Sequence, residues 1–375
     1  MPQIPGRLIT YCTNIHHGDG WEETFSSLRQ FIPVVKAAVS PDLAFPIGLR
    51  LSHRAAQELT GSEIERMRSW LQEHDCFVPT LNGFPFGSFH GQRVKDQVYL
   101  PDWRSPERVA YTNKLADLLA GWLPEGMTGS ISTVPIGFKD RIGADDLPLV
   151  RQQLIAALTH LHQLRDRHGR EIVLALEPEP GCLLETTEEA CRFFEALALP
   201  AELSDFLGLC YDCCHQAVEF EDPADSLARL AEAGIRIAKV QVSSALRVFE
   251  PTPTQLEKFD EPRYLHQVSV RHQDGRIRRH VDLPQALATL PGLPGEEWRC
   301  HFHVPIFTEG TGEYGTTRFF LESLLPMLPS DVLLEIETYT WDVLPPELRT
   351  VSVTESIIRE FEWLETQLHA SHGRS

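Results

Sequence analysis

Basic residues are in short supply. Lys and Arg number 34 against 53 Asp and Glu, a formal net charge of −19 over 375 residues. That balance argues against a general nucleic-acid binder, which needs a basic footprint to release counterions. The chain also lacks any run of about 18 uncharged apolar residues, so no membrane span is expected. Its start, MPQIPGRLITYCTN, lacks the basic-then-apolar layout of a secretory signal. No G-x-G-x-x-G follows the first apolar run and no G-x-x-x-x-G-K-S/T occurs, so dinucleotide-binding and P-loop readings lose their main support. The cysteines form only one C-x-x-C, Cys210 with Cys213, and no second pair completes a structural zinc site. They sit in or beside apolar runs, which suits free, buried thiols and a cytoplasmic location.

What the chain does have is an alternation of apolar runs and amphipathic segments. The runs are Leu8–Thr13, Ala44–Leu51, Cys76–Leu81, Gly129–Ile136, Ile172–Glu177, Phe206–Asp212, Ile235–Val242, His301–Phe307 and Val332–Thr338. They lack polar alternation, as strands buried on both faces of a parallel sheet do. Between them lie helical signals. Ser62 and Glu65 read as a capping box, Ser105-Pro106 as an N-cap with Pro at the first helical position, and Gly169 as the stop of a Leu-rich stripe starting at Leu147. Repeated β-then-α units leave a doubly wound sheet or a (β/α)8 TIM barrel. Nine runs over this length fit a barrel with one extra strand. The expected organisation is one α/β barrel domain over 1–370, an insertion over 244–299, and a short tail, 371–375.

Two connections are long: Asn82 to Trp103, and Ser243 to about Arg299. Both follow a strand, so in a barrel both belong at the C-terminal mouth, where active sites lie. The second contains a β-hairpin, with Val268 and Val270 alternating, Asp274-Gly275 as a two-residue turn, and Ile277 and Val281 returning. The hairpin's Arg271, Arg276, Arg278 and Arg279 are expected at the mouth, where they would attract an anionic ligand. The first connection carries Phe84, Phe86, Phe89, His90, Lys95, Tyr99 and Trp103. Together with Asn82, we take Phe84, Phe86, His90, Lys95 and Trp103 as substrate-binding candidates, since aromatics at a barrel mouth can wall in a ring or a prenyl chain. A satellite core under the loop is the alternative. Asn14, His16 and His17 follow the first strand and could reach the same mouth.

Three apolar runs end in an acid: Glu177, Asp212 and Glu337. A lone buried carboxylate is costly, so three at matching strand ends point to one convergent acidic site. His215, three residues after Asp212, and His303, on its own run, join them. Carboxylates plus imidazoles without paired thiolates suit a divalent metal such as Mn, Zn, Mg or Fe. Glu179 and Glu335 share strand parity with Glu177 and Glu337 and are the near alternatives.

The segments LALEPEP, YDCCH, HFHVPIFTEGTGEYG and LLEIETY resemble the xylose-isomerase-like barrel superfamily, which includes sugar isomerases and epimerases and an apurinic-site endonuclease. The resemblance implies metal ligands at Glu177, Asp212, His303 and Glu337, and at position 241, where the epimerases carry His and this chain has Gln241. It implies catalytic roles for Glu177 and Glu337, and for His215 in orienting substrate. Over nearly the whole chain, NGFPFGSFHG, VKDQVYLPDW, GSISTVPIGFK and EIETYTWDVLP are similar to the EboE metabolite-traffic proteins. That likeness implies a place in making or exporting a specialised metabolite, with partners among proteins of the same pathway. Two functions stay open. One is a metal-dependent isomerase or epimerase of a small polar or sugar-like metabolite, anionic or prenylated. The other is a non-catalytic handover protein using the same pocket. An abasic-site nuclease conflicts with the net charge.

Overall fold

The computed structural model describes residues 7–91, 93–310 and 312–372. Seven parallel strands come in chain order: β1 (Ile9–Tyr11), β2 (Phe45–Arg50), β3 (Cys76–Asn82), β4 (Gly129–Thr133), β5 (Ile172–Leu176), β6 (Leu207–Asp212) and β7 (Ile237–Val242). Five strands then interrupt the pattern: β8 (Ala245–Phe249), β9 (Val268–Arg271), β10 (Ile277–His280), β11 (Glu297–His303) and β12 (Gly315–Thr316). The last strand, β13 (Leu333–Ile336), inserts between β1 and β7 to complete an eight-stranded parallel sheet. A parallel bridge from Cys12 to Gly48 brings its two edges, β1 and β2, together, and the sheet is a nearly closed TIM barrel with helices outside.

Eight of the nine apolar runs are the barrel strands. The ninth, His301–Phe307, begins as the end of β11 and belongs to a second, antiparallel sheet ordered β10-β9-β11-β8-β12. The insertion after β7 is therefore a five-stranded platform, of which the hairpin is one edge. Its turn is longer than expected: His272 N–H donates to the Arg276 carbonyl at 2.9 Å, and Gly275, at φ +84°, supplies the left-handed residue. Three residues, not two, turn the chain, as in a type I turn closed by a bulge.

Local signals fare unevenly. Ser105 caps the helix Pro106–Trp122 by accepting from Glu107 N–H, and the helix Leu147–His168 stops at Gly169, φ +62°. The Ser62–Glu65 box does not form: that helix starts earlier, at Gly61, with Thr60 as its N-cap. The final helix, Val353–His372, runs into the expected tail, whose residues 373–375 lie outside the described residues. No helix among the described residues is long and apolar enough to cross a membrane.

Inside the barrel, below the mouth, Lys239 on β7 pairs with Glu335 on β13 at 2.5 Å, with both side chains fully buried. Glu335 was a near alternative for the site; here it neutralises a buried lysine. Gly48 makes room for it, since a Cβ there would lie 1.9 Å from Glu335 Oε1. Breaking such a pair leaves a bare charge in the core, whereas removing both charges does not. Lys239→Met should lower unfolding free energy by about 3–5 kcal/mol in denaturant titrations, and Lys239→Met with Glu335→Met should recover most of that loss.

Candidate metal and substrate site at the barrel mouth

The strand ends bring the acids together. Glu177 follows β5, Asp212 ends β6 and Glu337 follows β13, and one carboxylate oxygen from each lies within 4.8 Å of the other two. All three are buried. Glu337 Oε1 accepts from Asn14 Nδ2 at 2.7 Å and from Asn82 Nδ2 at 3.2 Å. Asp212 Oδ1 caps the short helix Cys213–Val218, accepting from His215 N–H at 2.9 Å and from the Ser243 hydroxyl at 2.8 Å. Glu177 Oε2, Asp212 Oδ2 and both amide atoms of Gln241 are buried with no hydrogen-bond partner among the described residues. Gln241 sits between Asp212 and Glu335 in strand register. Three clustered carboxylates, two of them with an unpartnered oxygen, are what a hard or borderline cation takes. The donor set fits a divalent metal held by Glu177, Asp212 and Glu337, with Gln241 within the same ring of strands.

Histidines form the adjoining wall. His215 and His301 approach Nε2 to Nε2 at 3.1 Å, and His301 and His303 at 3.2 Å. His301 was not among the expected residues. The H-F-H spacing held the clue, because residues two apart on a strand share a face. His303 turns its Nδ1 to the Glu337 carbonyl at 2.9 Å, leaving Nε2 for its neighbours.

Burial sets the charge states. It pushes the Glu177 carboxyl up to about 7, with Asp212 and Glu179 adding to the rise and His215 and Lys239 opposing it. Glu337 is held well above the usual carboxylate range by burial, then by Glu177 and Asp212. Burial also pulls upward on Asp212, but His215, His303 and two hydrogen bonds together hold it below its ordinary value. Burial pulls His303 down to about 4 and holds His301 well below the ordinary imidazole value.

The other expected residues divide into two groups. Asn82, Phe84 and Lys95 line the cavity over the acids, with Phe89, Tyr99, Glu179, Tyr264, Leu265 and Tyr339. The near alternative Glu179 accepts from the Tyr99 hydroxyl at 2.6 Å. Phe86 does not line it; its ring stacks on His53, 4.3 Å between centroids. Trp103 is fully buried in the core and donates from Nε1 to the Val134 carbonyl at 3.1 Å. His90 sits at the rim, held by Tyr264 Oη at 2.9 Å and by the Asn14 carbonyl. Of the residues after β1, Asn14 reaches the acids, while His16 packs on Phe31 and His17 is exposed beside Asp342.

The long loop and the insertion meet above the cavity. Val94 and Lys95 N–H both donate to the Arg263 carbonyl, and Lys95 Nζ pairs with Asp282 at 2.7 Å. The space beneath is about 50 Å³, room for a few waters. The hairpin arginines do not face it. Arg279 pairs with Glu219, Arg271 with Glu297 and Arg276 with Asp274, while Arg278 lies 3.9 Å from Glu296. Paired with carboxylates outside the cavity, they supply no pull on an anionic ligand.

No protein-family model and no curated protein matches the chain. Solved structures do. A D-tagatose 3-epimerase-like protein matches with a TM-score of 0.53 at 11% identity, over 98% of this chain and 99% of that one. An L-ribulose 3-epimerase matches at 0.52 and 12%, over 98% and 96%. A xylose isomerase domain protein from Planctomyces limnophilus matches at 0.50 and 15%, over 89% and 92%. The fold is that of the xylose-isomerase-like TIM barrels.

A carboxyl whose folded pKa exceeds its unfolded value binds more protons when folded, so its contribution to stability falls as pH rises between the two values. For Glu177 that window runs from about 4.5 to about 7. In chelator-treated protein, thermal melts should therefore show the melting temperature falling from pH 5 to pH 7.5. Glu177→Gln should flatten that fall, and added divalent cation should oppose it.

Proposed function

We propose that this chain is a metal-dependent enzyme of the sugar isomerase or epimerase type, acting on a small polar or sugar-like metabolite. The observation that carries this reading is the convergence of Glu177, Asp212 and Glu337, with free oxygens on two of them, at the floor of a cavity roofed by apolar side chains. A divalent cation at these acids would polarise a substrate carbonyl and make the neighbouring C–H acidic. Glu177 is set up for proton transfer, because a carboxyl poised near 7 can both take and return a proton at neutral pH. Glu337 lies opposite, its Oε1 oriented by Asn14 and Asn82. In an epimerisation, one carboxylate would take the proton next to the carbonyl and the other would return one to the opposite face. His215 and His301 border the same floor, and Lys239 beneath offsets part of the acids' mutual repulsion. The cover of Phe84, Phe89, Val94 and Leu265 would exclude water during the transfer.

Sequence similarity to the EboE proteins supports a role in a cytoplasmic pathway for a specialised metabolite, with partner proteins of that pathway. The apolar roof suits a substrate bearing a ring or prenyl portion. With the hairpin arginines paired elsewhere, no charge argument for an anionic substrate remains. Gln241, where the epimerases have His, favours the second reading, a handover protein that binds the same metabolite without turnover.

The test is hydrogen exchange. Manganese-loaded protein incubated in heavy water with a panel of ketoses should place deuterium on the carbon next to the carbonyl. Glu177→Gln or Glu337→Gln should slow this by about 10²–10⁴-fold, the usual worth of a general acid or base. Saturable ketose binding with no exchange would replace the enzyme by the handover protein.

A further inference from the structure

We propose that a second chamber, behind the side chain of Gln267, is a subsite for the part of the substrate remote from the acids, and that it takes a neutral, mostly apolar group such as a phenyl or cyclohexyl ring. The chamber has a volume of about 200 Å³ and lies between the hairpin and the loops after β4 and β5, against Phe138, Pro180 and Val281. Gln267 joins it to the cavity over the acids. This residue lines the chamber, yet its amide bonds to residues that line the cavity. Nε2 donates to Tyr99 Oη at 2.7 Å and lies 3.4 Å from Glu179 Oε1, and Oε1 meets His301 Nδ1 at 2.7 Å. The remaining Nε2 hydrogen goes to the Pro180 carbonyl at 2.8 Å. On the chamber side, Phe138 packs on Tyr99 with 5.1 Å between ring centroids. Glu179 and Pro180 are consecutive, one lining each space. The two spaces are therefore screened from each other by Gln267, two aromatic rings and one turn of chain. Gln267 is held in that screen by hydrogen bonds, which a substrate hydroxyl can replace when the side chain turns aside.

The chemistry of the occupant follows from what the walls already satisfy. Lys139 pairs with Glu185 at 2.7 Å and with Glu189 at 2.8 Å, and Arg279 pairs with Glu219 at 2.6 Å. A charged group would have to break one of these pairs. Displacing Arg279 would leave Glu219, whose side chain is wholly buried, without its counter-charge. The remaining walls are a phenyl ring, a proline and a valine, which favour a neutral, mostly apolar group. Gln267 and Val281 both belong to the insertion after β7, so the barrel alone does not form this chamber. The head group held at the acids is that of the enzyme reading above, on which this subsite rests.

Calorimetric titration of the manganese-loaded full chain with D-fructose and with 6-O-benzyl-D-fructose tests it. The ether should bind about tenfold or more tightly than the parent sugar, the worth of burying a phenyl ring. Val281→Trp, which fills the chamber, should bring the two affinities together. Gln267→Ala, which removes the screen, should widen the gap, so a folding defect in one variant leaves the other to decide. Equal affinities in the wild type, or a preference for the ether that Val281→Trp leaves intact, would overturn the subsite whatever deuterium exchange shows. If neither sugar binds, it is the sugar-like head group that fails, and benzyl alcohol decides on the chamber alone. Saturation transfer from protein to benzyl alcohol in NMR, lost in Val281→Trp, would uphold the chamber. No transfer, or transfer unchanged in that variant, would overturn it.

Discussion

Burying several like charges at one end of a barrel is the constraint from which the rest of this structure follows. Glu177, Asp212 and Glu337 cannot all be ionised within 4.8 Å of one another without a counter-charge. The protein answers only in part. Lys239 lies below, but it is matched by Glu335. Asn14, Asn82 and Ser243 hydrogen-bond single oxygens. Burial first, and the neighbouring acids after it, hold Glu177 and Glu337 above the usual carboxylate range, and atoms of Glu177, Asp212 and Gln241 have no hydrogen-bond partner among the described residues. An arrangement this costly persists only where something pays it back, and a bound cation is the chemistry that these donors select.

The insertion after β7 completes the site from outside the barrel. Because β11 ends at the mouth, its alternating faces put His301 and His303 beside His215, and the segment before β9 places Tyr264 and Leu265 over the acids. The barrel supplies carboxylates and the platform supplies imidazoles. The loop from Asn82 is tied to the insertion through Arg263 and Asp282.

The barrel and its acids were legible in the sequence because a parallel strand buried on both faces leaves an unbroken apolar run, and a charge at its end stands out. Glu177, Asp212 and Glu337 were visible for that reason. What depended on distant partners was not. Nothing local marks Trp103 as a core residue rather than a wall of the mouth, since both environments are aromatic. The four hairpin arginines looked available because the partners of two of them, Glu219 and Glu297, lie outside the hairpin in sequence. His301 escaped notice because its role is defined by Gln267 and His215, on two other segments. The Ser62–Glu65 pattern failed because the helix begins one residue before Ser62, at Gly61, which puts Ser62 inside its first turn.

Anomalous diffraction tests most directly whether a cation sits at the acids. Crystals of the full chain grown with Mn²⁺ and measured at a wavelength where manganese scatters anomalously should show a peak within about 2–2.6 Å of oxygens from Glu177, Asp212 and Glu337. Saturating manganese with no peak there, and with the three carboxylates bonded only to water or to one another, would contradict it.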